Sequence, residues 1–270
     1  MKWSFILLLP AVVSLFWPIA IALFKKHPTR AQILLSLLLI LMAFNIAVMA
    51  VFFRGRAGSL FIYNYIYELV SVLCGPVYYV AICSLTEPRG ATLRQRRIFF
   101  IPLVFILIHT FLSFHLGPRQ YEIMCQQIRD GALGSHPTNI TWNFLLFWSH
   151  YFFSALLIVM NFVLVLMASR KSRLFERRFN SYYAQNINAR KNNSRPLRLL
   201  SWAFLPMAVL VVLTVDYRPY YYKYILIVLS VFLSVIQFYI GRYTYTLDYD
   251  ARYLADLVRR DVNFPQAQHS

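Results

Sequence analysis

The sequence predicts an all-α integral membrane protein, a bundle of seven transmembrane helices with its N-terminus outside and its C-terminus in the cytoplasm. Three observations predict this fold class. Of the 270 residues, 59% are hydrophobic and only 14% are charged, whereas about 25% of a soluble domain is charged. Apolar runs of about 20 residues, the length that crosses a bilayer, recur along the chain. The basic residues, 27 against 10 acidic ones, are concentrated in alternate connections between these runs.

Seven segments have the length and apolarity of a membrane span, and we assign the transmembrane bundle to residues 1–247. Prolines inside several spans are compatible with this assignment, because neighbouring membrane helices can satisfy the freed carbonyl groups. No stretch alternates apolar and polar residues as a transmembrane strand does. The predicted spans are about 3–24, 31–53, 61–86, 98–117, 144–168, 199–216 and 224–247.

The positions of the basic residues predict the orientation. With the N-terminus outside, most of them lie in the first three connections on the cytoplasmic side and in the tail 248–270. The positive-inside rule favours this arrangement. Removal of the first span as a signal peptide would expose those connections to the exterior, so we expect the span to be retained. The topology is that of a multi-pass protein of a bacterial inner membrane.

The cytoplasmic connection 169–198 is predicted to form a basic amphipathic helix. It is either a continuation of the fifth span or a segment that lies on the membrane. We interpret it as a surface for anionic lipid or for a protein partner, and we do not expect nucleic acid there. The tail is too short for a folded domain, which needs at least about 50 residues. The surface residues of the connection are Arg173, Phe175, Arg177, Arg178, Phe179, Tyr182 and Tyr183.

Polar side chains inside the spans form the candidate site. A rise of about 1.5 Å per residue places them in one layer, roughly 10 Å below the outer ends of their spans. A carboxylate that faced lipid at this depth would cost several kcal/mol. We therefore expect Glu68 to face the bundle interior and to contact His109, His150 or both. The candidate pocket residues are Asn45, Tyr63, Tyr67, Glu68, His109 and His150.

This polar layer has two main interpretations. It could line a pocket for a small ligand or sense protons, because histidine changes charge between about pH 5 and 8. Alternatively, the carboxylate pairs with an imidazole and only fixes how the helices pack. Catalysis has little support, since the chain has no nucleophile motif, no P-loop and no metal-ligand spacing. We expect no enzyme activity, no cofactor, no metal and no disulfide.

The region from the third to the fourth span resembles a known family. Its pattern runs from Cys74-Gly75-Pro76-Val77-Tyr78-Tyr79 through Ser84-Leu85-Thr86 to Phe99-Phe100-Ile101-Pro102. This is similar to the seven-helix membrane module of Bacteroidetes membrane-bound AraC-type transcriptional regulators, in which a histidine occupies the position of Phe99. The residues present contain no helix-turn-helix unit. The resemblance therefore implies the membrane module alone, without DNA binding.

Together these features predict a receptor-like or signalling membrane module. It would sense an exterior or intramembrane cue and pass it to a cytoplasmic partner through the basic connection and the tail. The first alternative is a non-catalytic accessory subunit of an inner-membrane complex. An intramembrane enzyme or transporter is the third interpretation, and it depends only on the common depth of the glutamate and the two histidines.

Overall fold

The computed structural model describes residues 3–54, 60–87, 92–117, 119–120, 123, 142–185 and 222–247. These residues form helices and connections, with no strand among them, and the all-helical fold class is confirmed. The predicted sixth span, 199–216, and the tail lie outside the described residues. The helices are α1 (Trp3–Phe24), α2 (Arg30–Arg54), α3 (Leu60–Thr86), α4 (Leu93–Arg96, one turn), α5 (Phe100–Leu116), α6 (Trp142–Gln185) and α7 (Tyr222–Thr246).

Three of these helices contain segments that are long and apolar enough to cross a membrane. They are Arg30–Val48 in α2, Ile66–Thr86 in α3 and Ala155–Arg177 in α6. Two shorter apolar helical segments, Leu8–Phe24 and Arg97–Leu112, accompany them. Apolar run length thus predicted where these helices form, but α6 continues to Gln185, well beyond residue 168 where the predicted fifth span ends.

The region of the predicted fourth span is built from three consecutive pieces. Thr92 caps α4 through a capping box with Gln95, and a 3-10 turn, Arg97–Phe99, leads into α5. Gly117 ends α5 with a φ of 76°, a conformation that side chains other than glycine rarely adopt. The N–H of Gly117 donates to the carbonyl oxygen of Phe114 at 3.3 Å, which closes the last turn.

Helix α3 occupies the centre of the described bundle. It packs against α2 on one side and against α6 on the other. Within its apolar segment 89% of the residues are buried, compared with 39% for the corresponding segment of α6. Tyr78 and Tyr79, both at most 1% exposed, lie at the middle of its packed surface. Because α3 is enclosed, its buried polar groups need partners inside the bundle, either on a neighbouring helix or on its own backbone, as Thr86 Oγ1 donates to the carbonyl oxygen of Ile82.

The exposed surface of the bundle is apolar. On α1 the exposed residues Val12, Phe16, Ile19 and Leu23 recur at helical spacing, whereas Ser14 is fully buried. The outward faces of α5 and α7 are similarly rich in Phe, Leu, Ile and Val. Soluble monomers rarely expose continuous apolar patches of more than a few hundred Å². This distribution is typical of helices that face lipid.

The contact of α1 with α7 depends on a glycine. Trp17 packs edge-on against Phe238, with ring centroids 5.4 Å apart, and its indole ring covers Gly241. A side chain at position 241 would overlap this ring. At the end of α7, Gln32 Nε2 donates to the carbonyl oxygens of Thr244 and Leu247 at 3.1 and 2.9 Å. The start of α2 thereby satisfies carbonyl groups that the helix end leaves without partners.

We predict that Gly241→Ala lowers the free energy of unfolding by about 1–3 kcal/mol, the usual cost of overpacking. The added methyl group would meet the rigid indole of Trp17, which has no free space to enter. Thermal unfolding in mild detergent measures the loss. Gly75→Ala is the matched comparison, because its methyl group would meet the ends of two flexible side chains, the amide of Asn161 and Cδ1 of Leu164 at 3.1 Å, rather than a rigid ring. An equal loss in the two variants would contradict the prediction, as would a failure of Trp17→Leu to restore stability to Gly241→Ala.

Candidate functional site

A carboxylate and an imidazole meet between α3 and α5. Glu68 and His109 are 4% and 2% exposed, and Glu68 Oε2 lies 2.7 Å from His109 Nε2. The contact expected from their common depth is therefore present. A buried charge is tolerated only when it is paired or hydrogen-bonded. Each of these two groups supplies the polar partner that the other needs.

Aromatic rings enclose the imidazole. Phe105, one turn before His109 on α5, stacks on it with ring centroids 6.3 Å apart. Phe153 of α6 stacks on Phe105 at 4.8 Å and lies 6.4 Å from the histidine ring. These rings shield the carboxylate–imidazole pair from bulk solvent, and both side chains are buried. The rings also fix the orientation of the imidazole, because stacked rings leave it little freedom to rotate.

A serine that the sequence reasoning missed completes the site. Ser149 Oγ of α6 lies 3.5 Å from His109 Nδ1, the long end of the hydrogen-bond range. Glu68, His109 and Ser149 thus form a carboxylate–imidazole–hydroxyl chain across three helices. The signal was available in the sequence: Ser149 precedes the buried residues Phe153 and Leu157 at i, i+4 spacing, which places all three on one face of α6.

The cavity at this site is small. It is lined by Glu68, Leu69, Phe105, Ile106, His109 and Phe153. It has room for about one water-sized molecule, the smallest polar occupant that a cavity holds. A pocket for an organic ligand is therefore not open in this conformation. The arrangement brings a carboxylate oxygen and an imidazole nitrogen to 2.7 Å of each other in a buried setting.

The other residues of the predicted layer have different positions. Asn45 Nδ2 donates to Ser71 Oγ at 2.8 Å, and both side chains are buried where α2 meets α3. Ser71 lies three residues after Glu68, about one turn along α3, so Asn45 is near the pair in height and approaches α3 from α2, whereas His109 approaches it from α5. Tyr67 is buried beside Glu68 in the sequence. The side chains of Tyr63 and His150 lie outside the described residues.

The basic segment forms the far part of α6. The helix continues without a break to Gln185, which matches the first of the two arrangements expected for it. Arg173 and Arg177 are exposed, Phe175 is half-buried against the core, and Glu176 is buried. Arg178, Phe179, Tyr182 and Tyr183 belong to the same helix, and their side chains lie outside the described residues. The segment thus has a packed face and a basic outward face.

A second polar cluster lies at the opposite end of α3. Lys171 of α6 contacts the carboxylate of Glu87, the residue that follows α3. Gln95 Nε2 also donates to the two Glu87 oxygens at 3.0 and 3.2 Å. This cluster connects α3, α4 and α6. The pair is partly solvated, since the Lys171 and Glu87 side chains are 21% and 29% exposed.

Within the part of the chain that the structure describes, no group of three His, Cys, Asp or Glu side chains is placed to hold a metal ion. Two of the cysteines, Cys74 and Cys83, are free thiols buried in α3. The third, Cys125, lies outside the described residues.

No family model, no curated protein and no solved structure matches this chain.

We predict that Glu68 and His109 are energetically coupled. Glu68→Leu or His109→Leu alone leaves one polar group buried without its partner, and breaking a buried pair in this way costs about 3–5 kcal/mol. The double Leu variant removes both groups and should recover most of the loss. Chemical unfolding of the four proteins in detergent gives the coupling energy as a double-mutant cycle. Additive losses would contradict the pairing.

Proposed function

We propose that this protein is a receptor-like signalling module of a bacterial inner membrane, a seven-helix bundle with its N-terminus outside. It takes a cue at the Glu68–His109–Ser149 site and passes it to a cytoplasmic partner through α6 and the tail. One observation carries the proposal: the polar chain joins three helices, and the helix that supplies Ser149 is the one that continues into the basic segment.

The length of α6 suits it to transmit a change over a distance. Its 44 residues correspond to about 66 Å at 1.5 Å per residue, roughly twice the hydrocarbon thickness of a bilayer. Ser149 and Arg177 are about 42 Å apart along its axis. A small tilt of α6 at the site therefore becomes a larger displacement of the basic segment.

Three features support the membrane location and the orientation. The outward faces of the helices are rich in apolar residues, three described helices are long enough to span, and Arg170, Arg173 and Arg177 are exposed towards one end of α6. Arginines near the cytoplasmic leaflet attract anionic lipid, by about 1 kcal/mol for each residue. The resemblance of the α3–α5 region to the membrane module of AraC-type regulators is part of this proposal.

The alternative is a non-catalytic accessory subunit of an inner-membrane complex. The small cavity favours it over a receptor for an organic ligand, because the site has room for about one water-sized molecule and a buried polar pair can by itself fix the packing of α3, α5 and α6. The two proposals differ in what they expect of the pair. A signalling site must change its contacts when the cue arrives, whereas a structural pair must not.

We predict that residue 181 is cytoplasmic and residue 135 is exterior. In a Cys125→Ser background, an impermeant thiol reagent applied to intact spheroplasts should label Ser135→Cys and not Ser181→Cys. After permeabilisation both should react. The native Cys125, which the topology places outside, should be labelled in the unaltered protein and serves as the positive control. Labelling of Ser181→Cys in sealed spheroplasts would reverse the orientation.

We predict that a change at Glu68 is detected at the far end of α6. An environment-sensitive fluorophore on Ser181→Cys, in the Cys125→Ser background, should change its emission when Glu68→Gln is added, because the site and the label share one helix. Ser234→Ala, a buried hydroxyl on α7 that donates to the carbonyl oxygen of Ser230, is the control and should have no effect.

Co-purification in mild detergent separates the two proposals. A stoichiometric membrane partner that is retained equally by the unaltered protein and by Glu68→Gln supports the accessory subunit. A partner whose retention depends on Glu68 supports the signalling module. Unchanged emission in Glu68→Gln together with Glu68-independent retention would overturn the signalling proposal.

A further inference from the structure

We propose that the groove between α1 and α7 binds an anionic phospholipid. The acyl chain lies along aromatic residues at the contact of the two helices, and the phosphate is bound by Arg242 together with Lys25. This site is separate from the Glu68–His109–Ser149 site and does not depend on the signalling function. It depends on the membrane location of α7, which corresponds to the predicted span 224–247.

The position of Arg242 is the first observation. The outward face of α7 is apolar, and Arg242 lies on this face one turn after Phe238. It is exposed, and it lies about 7.5 Å before Leu247 along the helix axis. A charged residue inside a span usually faces the bundle interior, so one on the outward face indicates a functional site. The apolar residues of this face are Val228, Val231, Phe232, Val235, Phe238 and Tyr239.

The first turn of α2 shows where this end of the bundle lies. Gln32 Nε2 donates to the carbonyl oxygens of Thr244 and Leu247, so the start of α2 is level with the end of α7. Lys26 and Arg30, in and after the connection from α1, are exposed at the same level. Arginine side chains extend towards the headgroups while their apolar stems stay among the acyl chains. The guanidinium of Arg242 can therefore reach the phosphate level.

Aromatic rings line the groove between the two helices. The ring centroid of Trp17 lies 5.2 Å from that of Phe16 on α1. On α7 it lies 5.4 Å from Phe238 and 6.0 Å from Tyr245. Phe16 and Phe238 are 59% and 46% exposed, so the rings present an apolar surface outwards. We call this set of four residues the α1–α7 groove.

Lys25 closes the cytoplasmic end of the groove. Its Nζ lies 5.3 Å from the ring centroid of Tyr245, a cation–π contact. Tyr245 follows Arg242 by three residues, which places the two on neighbouring positions of one helix face. An ammonium and a guanidinium thus lie near one ring. The guanidinium can bind a phosphate through two parallel hydrogen bonds, and the ammonium adds a second positive charge.

Charge complementarity favours an anion from outside these helices. Neither α1 nor α7 contains an aspartate or a glutamate. The carboxylates among the described residues are on or directly after α3 and on α6. Glu68 contacts His109, and Glu87 contacts Lys171. Glu176 is buried and interacts electrostatically with Tyr243, whereas Arg242 is exposed.

The length of the groove favours a phospholipid over a soluble anion. Phe16 and Lys25 are about 14 Å apart along the axis of α1, and one leaflet contributes roughly 15 Å to the hydrocarbon thickness. An acyl chain of the cytoplasmic leaflet therefore fits beside the rings while its phosphate meets Lys25 and Arg242. Basic sites between membrane helices on the cytoplasmic side bind anionic headgroups in this way. The arginines of α6, by contrast, attract anionic lipid without an adjoining aromatic groove.

The test is lipid binding by the full chain in mild detergent, measured by native mass spectrometry as the apparent Kd of the first bound lipid. The probes are dioleoylphosphatidylglycerol, which is anionic, and dioleoylphosphatidylcholine, which is neutral overall. We expect the unaltered chain to prefer the anionic lipid. Arg242→Gln should weaken binding of that lipid by about tenfold and remove the preference. Arg242→Lys should be intermediate, because it keeps the charge without the planar fork.

Two matched controls locate the site. Arg97→Gln makes the same change of charge at an exposed arginine before α5, and it should leave the preference unaltered. Phe16→Ala should weaken binding of both lipids by the same factor, because it removes part of the apolar groove and no charge. Phe44→Ala removes a similarly exposed ring from α2 and should have no effect on either lipid.

Four outcomes would overturn the proposal. Equal lipid preference in the unaltered chain and Arg242→Gln would mean that the charge of Arg242 is balanced by the chain itself. An equal loss in Arg97→Gln would indicate diffuse surface charge. Displacement of the anionic lipid by an equal concentration of sodium phosphate would identify a soluble anion as the ligand. A co-purifying protein lost in Arg242→Gln, with lipid binding unchanged, would identify an acidic partner.

A variant that does not fold leaves the test intact. If Arg242→Gln cannot be purified, the preference of Arg242→Lys and the affinities of Phe16→Ala decide, and unaltered values in both would reject the site. The signalling proposal is tested separately, by Glu68→Gln and the label at position 181. Either proposal can therefore fail while the other stands.

Discussion

The fold depends on the cost of placing a carboxylate in the centre of an apolar bundle. Helix α3 is enclosed by its neighbours, so Glu68 cannot reach bulk water and must be paired inside the bundle. The partner comes from α5, and the partner's second nitrogen faces α6. One buried charge thereby fixes the relative heights of three helices, which apolar packing alone would leave free to slide. The aromatic rings of Phe105 and Phe153 then set how closely those helices approach.

Neutral polar side chains elsewhere in the bundle also form hydrogen bonds between helices. Some buried polar atoms are satisfied across helix contacts, as in the bonds from Gln32 to the last carbonyl groups of α7 and from Asn45 to Ser71. Meanwhile the exposed faces are apolar. In a lipid environment the apolar surface has no reason to turn inward, so specificity comes from these polar contacts and from close approach at small residues such as Gly241.

The positions of the helices and the Glu68–His109 contact were predictable, because each follows from a length that can be counted in the sequence. Run length gives the helices, and the number of residues from a span end gives depth. The role of Ser149 was missed because depth does not fix the rotation of α6 about its axis, and that rotation decides whether the Ser149 side chain faces the imidazole. The small cavity was not predictable either, since it depends on how two phenylalanines from different helices stack. The sequence of the basic segment was compatible with a continuation of the fifth span and with a helix lying on the membrane. An amphipathic pattern shows that one face is apolar, but it does not show whether that face packs against protein or against lipid.

The two ends of α3 differ in a way that favours movement at one of them. Glu68 and Glu87 are about 28 Å apart along the helix axis, and each contacts a basic side chain of another helix. The Glu87–Lys171 pair is partly solvated, so it contributes about 1 kcal/mol or less and can re-form with water in place of either partner. The Glu68–His109 pair is buried and shielded from bulk solvent, so removal of either partner there costs more than at the solvated pair. The contact between α3 and α6 is therefore more adaptable at the Glu87 end than the packing around Glu68.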